Sequence, residues 1–349
     1  MKKDKEDRAN YGSSLAILLW AEDALNIPLD NAMCDVAAAA GDLEALEHLR
    51  GKGCIWKAAT CAAAAAAGHM HVLKHLRSAP IVLASVNSNN KVVKEGERGS
   101  GCRWDERACT AAVKGGHLDV LVWLRSASPP CPWKEAELCN IAAAVGSLQM
   151  LQYLRANGCP WSDEATRVAA QHGHLSVLEF MVMPSSSPNH GPLPFSEQVC
   201  ASAAFEGHLH ILQFARSAAV PAKAYWDEMT CAWAAQAGRL EVLKWMRGAP
   251  PTTARADTAD TAWPATASQE EGASASTAVL SREERCPWDQ KTTYTAAAMG
   301  HLEVLKFARS TGNGEKPCPW IAEAVNAAKE RGHNNVVKWI CSQDPSLVI

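Results

Sequence analysis

The chain of 349 residues lacks a long hydrophobic run. Its apolar segment Leu15–Ala21 is shorter than the roughly 20 residues that a helix needs to cross a bilayer. Acidic Asp4, Glu6 and Asp7 precede this segment, whereas a secretory signal begins with basic residues. The chain also contains no Asn-x-Ser/Thr glycosylation sequon. We therefore expect no membrane association and no secretion, and a location in the cytoplasm or, alternatively, the nucleus.

An excess of charge of one sign is missing as well. The 34 Lys and Arg residues nearly balance the 37 Asp and Glu residues, and the net charge is −3. The basic residues are scattered along the chain and form no stripe. Proteins that bind nucleic acids neutralise phosphates with a basic patch. The sequence therefore predicts no nucleic-acid partner.

The chain has 13 cysteines but lacks the Cys-x-x-Cys spacing of zinc and redox sites. Pairs such as Cys54 and Cys61 lie too far apart for that motif. The chain is also too long to need the disulfides that staple small secreted domains. We interpret the cysteines as small buried apolar residues in a reducing compartment.

Catalytic constellations are missing too. His71 and His75 are four residues apart, which is metal-ligand spacing, but no third ligand of the His-Glu-x-x-His type stands beside them. His75 also stands where other repeats have an aromatic residue. We find no phosphate-cradling glycine loop and no nucleophile elbow. The sequence predicts no enzyme, no metal and no cofactor.

What the chain does have is one pattern in nine copies, each anchored on a glycine from which positions are counted. Apolar residues stand at +2, +4 and +5, an aromatic residue at +7 and usually Arg at +9, as in Gly116–Arg125. Ala stands at −4 in every copy, and Cys stands at −7 in six. Such repetition predicts a stack of small units. The anchor glycines are Gly41, Gly68, Gly116, Gly146, Gly173, Gly207, Gly238, Gly300 and Gly332.

The spacing predicts two helices in each unit. Positions −7 and −4 share one helix face, and their small side chains require another helix to approach closely. The glycine ends this first helix in a left-handed turn. The apolar residues after it form the buried stripe of a second helix, and the cation at +9 suits the negative end of its dipole.

A connector joins each second helix to the next unit. Pro in the connector ends the preceding helix, and Trp is large enough to fill the gap between neighbouring units. Capping and acidic residues such as Ser162–Glu164 then begin the next helix. Four connectors read Cys-Pro-Trp, ending at Trp133, Trp161, Trp288 and Trp320, and degenerate forms end at Trp56, Trp104 and Trp226.

The core Ala296–Lys306, Ala-Ala-Ala-Met-Gly-His-Leu-Glu-Val-Leu-Lys, resembles the ankyrin repeat, and the resemblance spans about Cys34 to Cys341. It implies an all-α fold, an α-solenoid of helix-turn-helix repeats with a concave face of first helices. It also implies that the histidines recurring at +1 make local hydrogen bonds at the turn. The Thr-Pro-Leu-His opening is absent, and the shortest spacing is 27 residues instead of 33. The β-hairpin fingers should therefore be shortened or absent. The Cys-Pro-Trp form is similar to families expanded in algae, oomycetes and giant viruses.

The organisation follows from this pattern. We expect a polar N-terminal tail at residues 1–12 and a single solenoid at residues 13–349, with about nine units after a degenerate half unit. Insertions at residues 78–101, 184–195 and 248–285 break the period and are rich in polar residues and proline. Such composition predicts disordered loops. All three follow a second helix, so they should protrude from one edge of the stack.

The most variable positions are −6 and −2, which lie four residues apart on the first helix. We expect this stripe to face solvent and to bind a protein partner, with Arg and Phe as candidate hot spots. Phe205 could instead fold onto its neighbours. The candidate residues are Lys114, Asn140, Arg167, Gln171, Phe205, Gln236 and Tyr294.

Two functions are consistent with these features. One is a monomeric, non-enzymatic scaffold that binds a protein partner on the concave face. The alternative is a regulatory or targeting subunit that acts through its insertions, modified at their serines and threonines. The sequence does not name the partner.

Overall fold

The computed structural model describes residues 30–78, 102–183, 193–249, 280–310 and 316–344. Within these ranges the protein is all-helical, with 18 α-helices, one 3₁₀ turn at Arg282–Glu284 and no strand. The all-α prediction is confirmed for this part of the chain. The N-terminal tail, the half unit around Leu15 and most of the three insertions lie outside the described residues.

The chain divides into two compact units, residues 1–165 and residues 166–349. In the first unit the helices follow one another in pairs, each pair holding a first and a second helix. The first helices α1, α3, α5 and α7 pack against one another in that order, and each contacts its own second helix. The helices are α1 (Asn31–Ala40), α2 (Leu43–Gly51), α3 (Ala58–Ala66), α4 (Met70–Ser78), α5 (Glu106–Lys114), α6 (Leu118–Ser126), α7 (Glu135–Val145) and α8 (Leu148–Ala156).

In the second compact unit the helices again follow one another as first and second helices. The boundary between the two compact units falls in the first turn of α9 (Asp163–Gln171). First helices α11, α13, α15 and α17 pack in sequence, and second helices α14 and α16 also meet. The helices are α9 (Asp163–Gln171), α10 (Leu175–Val182), α11 (Val199–Glu206), α12 (Leu209–Arg216), α13 (Glu228–Gln236), α14 (Leu240–Met246), α15 (Gln290–Ala298), α16 (Leu302–Arg309), α17 (Glu323–Glu330) and α18 (Asn334–Gln343).

The anchor glycines end the first helices as predicted. All nine have a positive φ, between +70° and +92°. In each repeat the N–H of the residue at +1 donates to the carbonyl of the alanine at −4, as His301 does to Ala296 at 2.9 Å. This bond satisfies a carbonyl that the end of the helix leaves without an intrahelical partner.

The core consists of the small residues on the first helices and the branched residues on the second. Every alanine at −4 and every cysteine at −7 is at most 1% exposed. The residues at +4, +5 and +8, such as Val120, Leu121 and Leu124, are buried as well. First helices can therefore stack closely because only a methyl or thiol group stands between them.

The cysteines are buried thiols that also form hydrogen bonds. All 13 cysteines are free, and 12 of them are buried. The connector cysteine donates its S–H to the carbonyl of the residue that begins the first helix of the preceding unit, as Cys286 does to Asp227 at 3.2 Å. Burial raises the pKa of the Cys318 thiol to about 12, so it remains protonated and able to donate.

A stack of side chains crosses most junctions between successive repeats, and the sequence did not predict it. The Arg at +9 lies over the connector Trp, with 4.0–4.3 Å from guanidinium carbon to ring centroid in seven junctions. The ring at +7 of the next repeat meets that Trp edge-on where Phe307 meets Trp288 at 6.2 Å, and His75, Trp123, Trp245 and Trp339 meet their connector Trp in the same way. Arg247 is only 8% exposed and donates to the connector carbonyl of Cys286. The arginine therefore binds the connector in addition to any effect on the helix dipole.

One junction lacks both the arginine and the tryptophan, which indicates that the two residues are coupled. Position +9 of the fifth repeat is Val182, and the connector there is Leu193–Phe195. The N–H of Leu193 donates to Met181 as connector cysteines do elsewhere, and Phe195 packs edge-on against Phe214. Residues 193–195 thus belong to the folded repeat although they fall within a predicted insertion. Residues 280–285 do likewise, since Glu284 pairs with Lys223.

Enlarging a residue between two first helices is expected to destabilise the protein. Ala64 at −4 of α3 is fully buried, whereas Ala66 at −2 of the same helix is exposed. We expect Ala64→Leu to cost about 1–3 kcal/mol through overpacking, measured by urea denaturation with circular dichroism. The matched control Ala66→Leu should stay close to the wild type. Equal destabilisation by the two variants would contradict the assignment of the Ala64 face of α3 as the buried one.

Candidate functional site

Four of the histidines at +1, His69, His117, His208 and His301, bind a carbonyl of the preceding repeat, whereas the resemblance implied local hydrogen bonds at the turn. The ring nitrogen Nε2 of His301 lies 3.1 Å from the carbonyl oxygen of Gln236, and Nε2 of His208 lies 3.0 Å from that of Gln171. The ring also covers the preceding anchor glycine. A Cβ added to Gly238 would lie 2.7 Å from His301. These histidines are therefore structural links between successive first helices.

The two histidines with metal-ligand spacing, His71 and His75, have structural contacts. His71 Nε2 lies 3.0 Å from the carbonyl of Gly41, and His75 bonds to Glu47. His75 also meets Trp56 edge-on at 5.8 Å, in the place of the aromatic residue found in other junctions. Among the described residues, no group of three or more His, Cys, Asp or Glu side chains could hold a metal ion.

The predicted binding residues divide between the two compact units. In the first unit, Lys114 is exposed, and half-buried Asn140 accepts a hydrogen bond from Ser162 at 3.3 Å. In the second unit, Tyr294 is exposed on α15, and Gln236 is half-buried at the end of α13. The remaining three, Arg167, Gln171 and Phe205, come together around one cavity.

This cavity, of about 410 Å³, is formed by three successive first helices of the second unit. We call it the aromatic cavity. Helices α9, α11 and α13 contribute to it together with the segments that precede α11 and α13. Its lining is Arg167, Gln171, Glu197, Gln198, Ala201, Ser202, Phe205, Glu206, Tyr225, Asp227, Met229, Thr230 and Trp233.

Hydrogen bonds between successive repeats hold the ends of these three helices in place. His208 donates to the carbonyl of Gln171 at 3.0 Å, and burial lowers the pKa of this imidazole, which favours its neutral form. Arg239 occupies the histidine position in the next unit, and its Nε donates to the carbonyl of Phe205 at 3.0 Å. These bonds fix the end of α9 against α11 and the end of α11 against α13.

Aromatic side chains dominate the apolar part of the lining. Phe205 meets Trp233 edge-to-face, with 5.7 Å between ring centroids and an interplanar angle of 82°. The sequence alternative that Phe205 packs on a neighbour is therefore correct in part, since the ring is half-buried and still lines the cavity. Tyr225 is 61% exposed, Trp233 37% and Met229 36%. Isolated exposed apolar residues are ordinary, but a cluster of them in a cavity is typical of a binding site.

These aromatic residues depart from the repeat. At −2, where Phe205 stands, four other units have Ala, and at −5, where Trp233 stands, the others have Ala, Val, Ile, Ser or Thr. Tyr225 stands in the middle of its connector, where five others have Pro. At each of the positions −2 and −5, the eight other repeats have no aromatic side chain. Three departures that meet in one cavity indicate a role other than folding.

Sequence reasoning missed Tyr225, Met229 and Trp233. They lie outside the −6 and −2 stripe, so their contribution depends on how three helices converge. A usable signal was present, because Trp is out of place at a position that holds small or β-branched residues elsewhere.

Returning the cavity to the repeat pattern is expected to leave the fold intact. The triple variant Phe205→Ala, Tyr225→Pro, Trp233→Val uses residue types that the chain has at the same positions in other units. Because these side chains are partly exposed, we expect its thermal unfolding midpoint to stay within about 3 °C of the wild type, a shift of under roughly 1.5 kcal/mol. A large drop in the midpoint would show that the aromatic residues are structural.

Within the described residues, no helix is long and apolar enough to span a membrane. In comparisons with known proteins, no family model matches this chain and no curated protein is significantly similar to it.

Proposed function

We propose that the protein is a non-enzymatic scaffold of ankyrin-like helical repeats that binds a protein partner along its first helices. The partner contacts the aromatic cavity and the stripe formed by positions −6 and −2. The single observation that carries this proposal is the convergence of Phe205, Tyr225 and Trp233, all out of pattern in the repeat, on one cavity.

The chemistry of the lining favours binding over catalysis. The carboxylate of Asp227 is engaged in capping α13, where Oδ1 accepts from the N–H and hydroxyl of Thr230 at 3.1 and 3.2 Å. The guanidinium of Arg167 donates to Gln171 at 2.9 Å along its own helix. The lining contains a serine, Ser202, but no histidine or lysine that could activate its hydroxyl as a nucleophile, and no cysteine. We also propose that the protein is a monomer in the cytoplasm or the nucleus, and that it binds no cofactor, metal or nucleic acid.

The face that binds the partner can be mapped with a photoreactive residue. Phe205 on α11 and Gln213 on α12 lie in the same repeat, on its first and second helix, and Gln213 is exposed. We expect p-benzoyl-phenylalanine at position 205 to crosslink a discrete protein in a native lysate, and the same residue at position 213 to give none. Crosslinking from position 213 alone would place the partner on the second helices and overturn the proposal.

A further inference from the structure

The charges around the aromatic cavity favour a cationic guest. Three carboxylates line it, those of Glu197, Glu206 and Asp227, against one guanidinium, that of Arg167. Arg167 is already bonded to Gln171, which satisfies part of its hydrogen-bonding capacity within α9. A cation entering the cavity would meet both an excess of negative charge and the faces of aromatic rings, which attract cations.

The size of the cavity limits the guest. At about 410 Å³ it lies at the small end of the roughly 300–1,000 Å³ that is usual for ligand sites. It can take one long side chain and the backbone beside it. Small residues on α11, Ala201 and Ser202, leave this space open between the larger side chains of α9 and α13.

Arginine fits this environment better than lysine. Its planar guanidinium can stack on an aromatic ring and still form two parallel hydrogen bonds with a carboxylate, whereas a lysine ammonium cannot stack in this way. The chain itself uses that geometry at seven junctions, where Arg lies 4.0–4.3 Å from the centroid of Trp. In the cavity, Trp233 and Tyr225 are exposed rings of the same kind, with Glu197 and Glu206 in the same lining.

We propose that the aromatic cavity binds an arginine side chain presented by a peptide segment of the protein partner. This inference rests on the proposed scaffold function and names the chemistry that the scaffold recognises. The guanidinium stacks on Trp233 or Tyr225 and donates to one carboxylate of the lining, that of Glu197 or that of Glu206, and Phe205 supports Trp233 from the side. Arg167, a candidate hot spot from the sequence, instead repels the cationic guest in this proposal and so limits its affinity.

A random peptide library displayed on phage tests the recognition without a known partner. Wild-type protein and the triple variant Phe205→Ala, Tyr225→Pro, Trp233→Val are each used as bait. We expect peptides that are enriched by the wild type over the variant to share one arginine at a fixed place. An enriched family without arginine would overturn this inference and leave the scaffold proposal standing. If the wild type enriched no peptides over the variant, the inference would also be overturned. The scaffold proposal is tested separately, by crosslinking from position 205.

Charge variants with opposite expected signs then test the mechanism. Binding of a selected fluorescein-labelled peptide is followed by anisotropy. Glu197→Gln with Glu206→Gln should weaken binding by about tenfold, and Arg167→Gln should strengthen it by about threefold, since each charge pair near a protein surface contributes on the order of one RT or more. Replacing the peptide arginine by lysine should weaken binding by about threefold or more. Weaker binding by Arg167→Gln, or unchanged binding by the double glutamine variant, would contradict a cationic guest.

Discussion

Trp288→Ala is expected to lower the free energy of unfolding of the second unit by about 3 kcal/mol. The ring lies between Arg247, 4.2 Å away, and Phe307, whose centroid is 6.2 Å away. Its removal opens a gap at the junction between two repeats and takes away the surface over which a nearly buried guanidinium lies. Urea denaturation with circular dichroism measures the shift.

The natural Val–Phe junction supplies the control. The double variant Arg247→Val, Trp288→Phe copies the residue types of Val182 and Phe195. It should destabilise the protein by about 1 kcal/mol less than the sum of its single variants, because the arginine and the ring are coupled by a cation–π contact. Strict additivity would show that the two side chains only happen to lie together.

Gly238→Ala is expected to lower the free energy of unfolding by about 2–4 kcal/mol, for two reasons. Its φ of +70° is a left-handed conformation that disfavours any side chain. Its new Cβ would also stand 2.7 Å from the ring of His301, which would have to leave its bond with Gln236. The loss is measured by the same denaturation experiment.

Gly332→Ala separates these two sources. Gly332 has a φ of +76°, and among the described residues nothing lies within 4 Å of the position of its added Cβ. This variant should therefore show only the backbone strain of about 1–2 kcal/mol. If Gly238→Ala and Gly332→Ala were equally destabilising, the histidine would contribute nothing to the spacing of the repeats.

The spacing of small residues was sufficient to predict most of the fold. An alanine four residues before a glycine, nine times over, has no explanation other than close helix packing and a left-handed turn, and both are observed. The role of Arg247 and its equivalents was not predicted, because the sequence separation between the arginine and its Trp varies along the chain, as between Arg50 and Trp56 and between Arg247 and Trp288. The correlated exchange to Val182 and Phe195 was the available signal.

The binding site could be predicted only in part. Arg167, Gln171 and Phe205 lie on the predicted stripe and do line one cavity, since a helix face is set by sequence spacing. Trp233 and Tyr225 complete it from a third helix and a connector, and helix periodicity alone does not give the distance between different units. Lys114 and Asn140 lie in the other compact unit and Gln236 and Tyr294 outside the lining, so their part in binding stays a prediction.

The central claim is that the partner binds the first helices and not the insertions. The most direct test is quantitative affinity capture from a native lysate with three baits: the full chain, the triple cavity variant, and a chain without residues 252–278. We expect the proteins retained by the full chain to be lost with the cavity variant and kept with the deletion. Proteins kept by the cavity variant and lost with the deletion would contradict this account and favour a subunit that acts through its insertions.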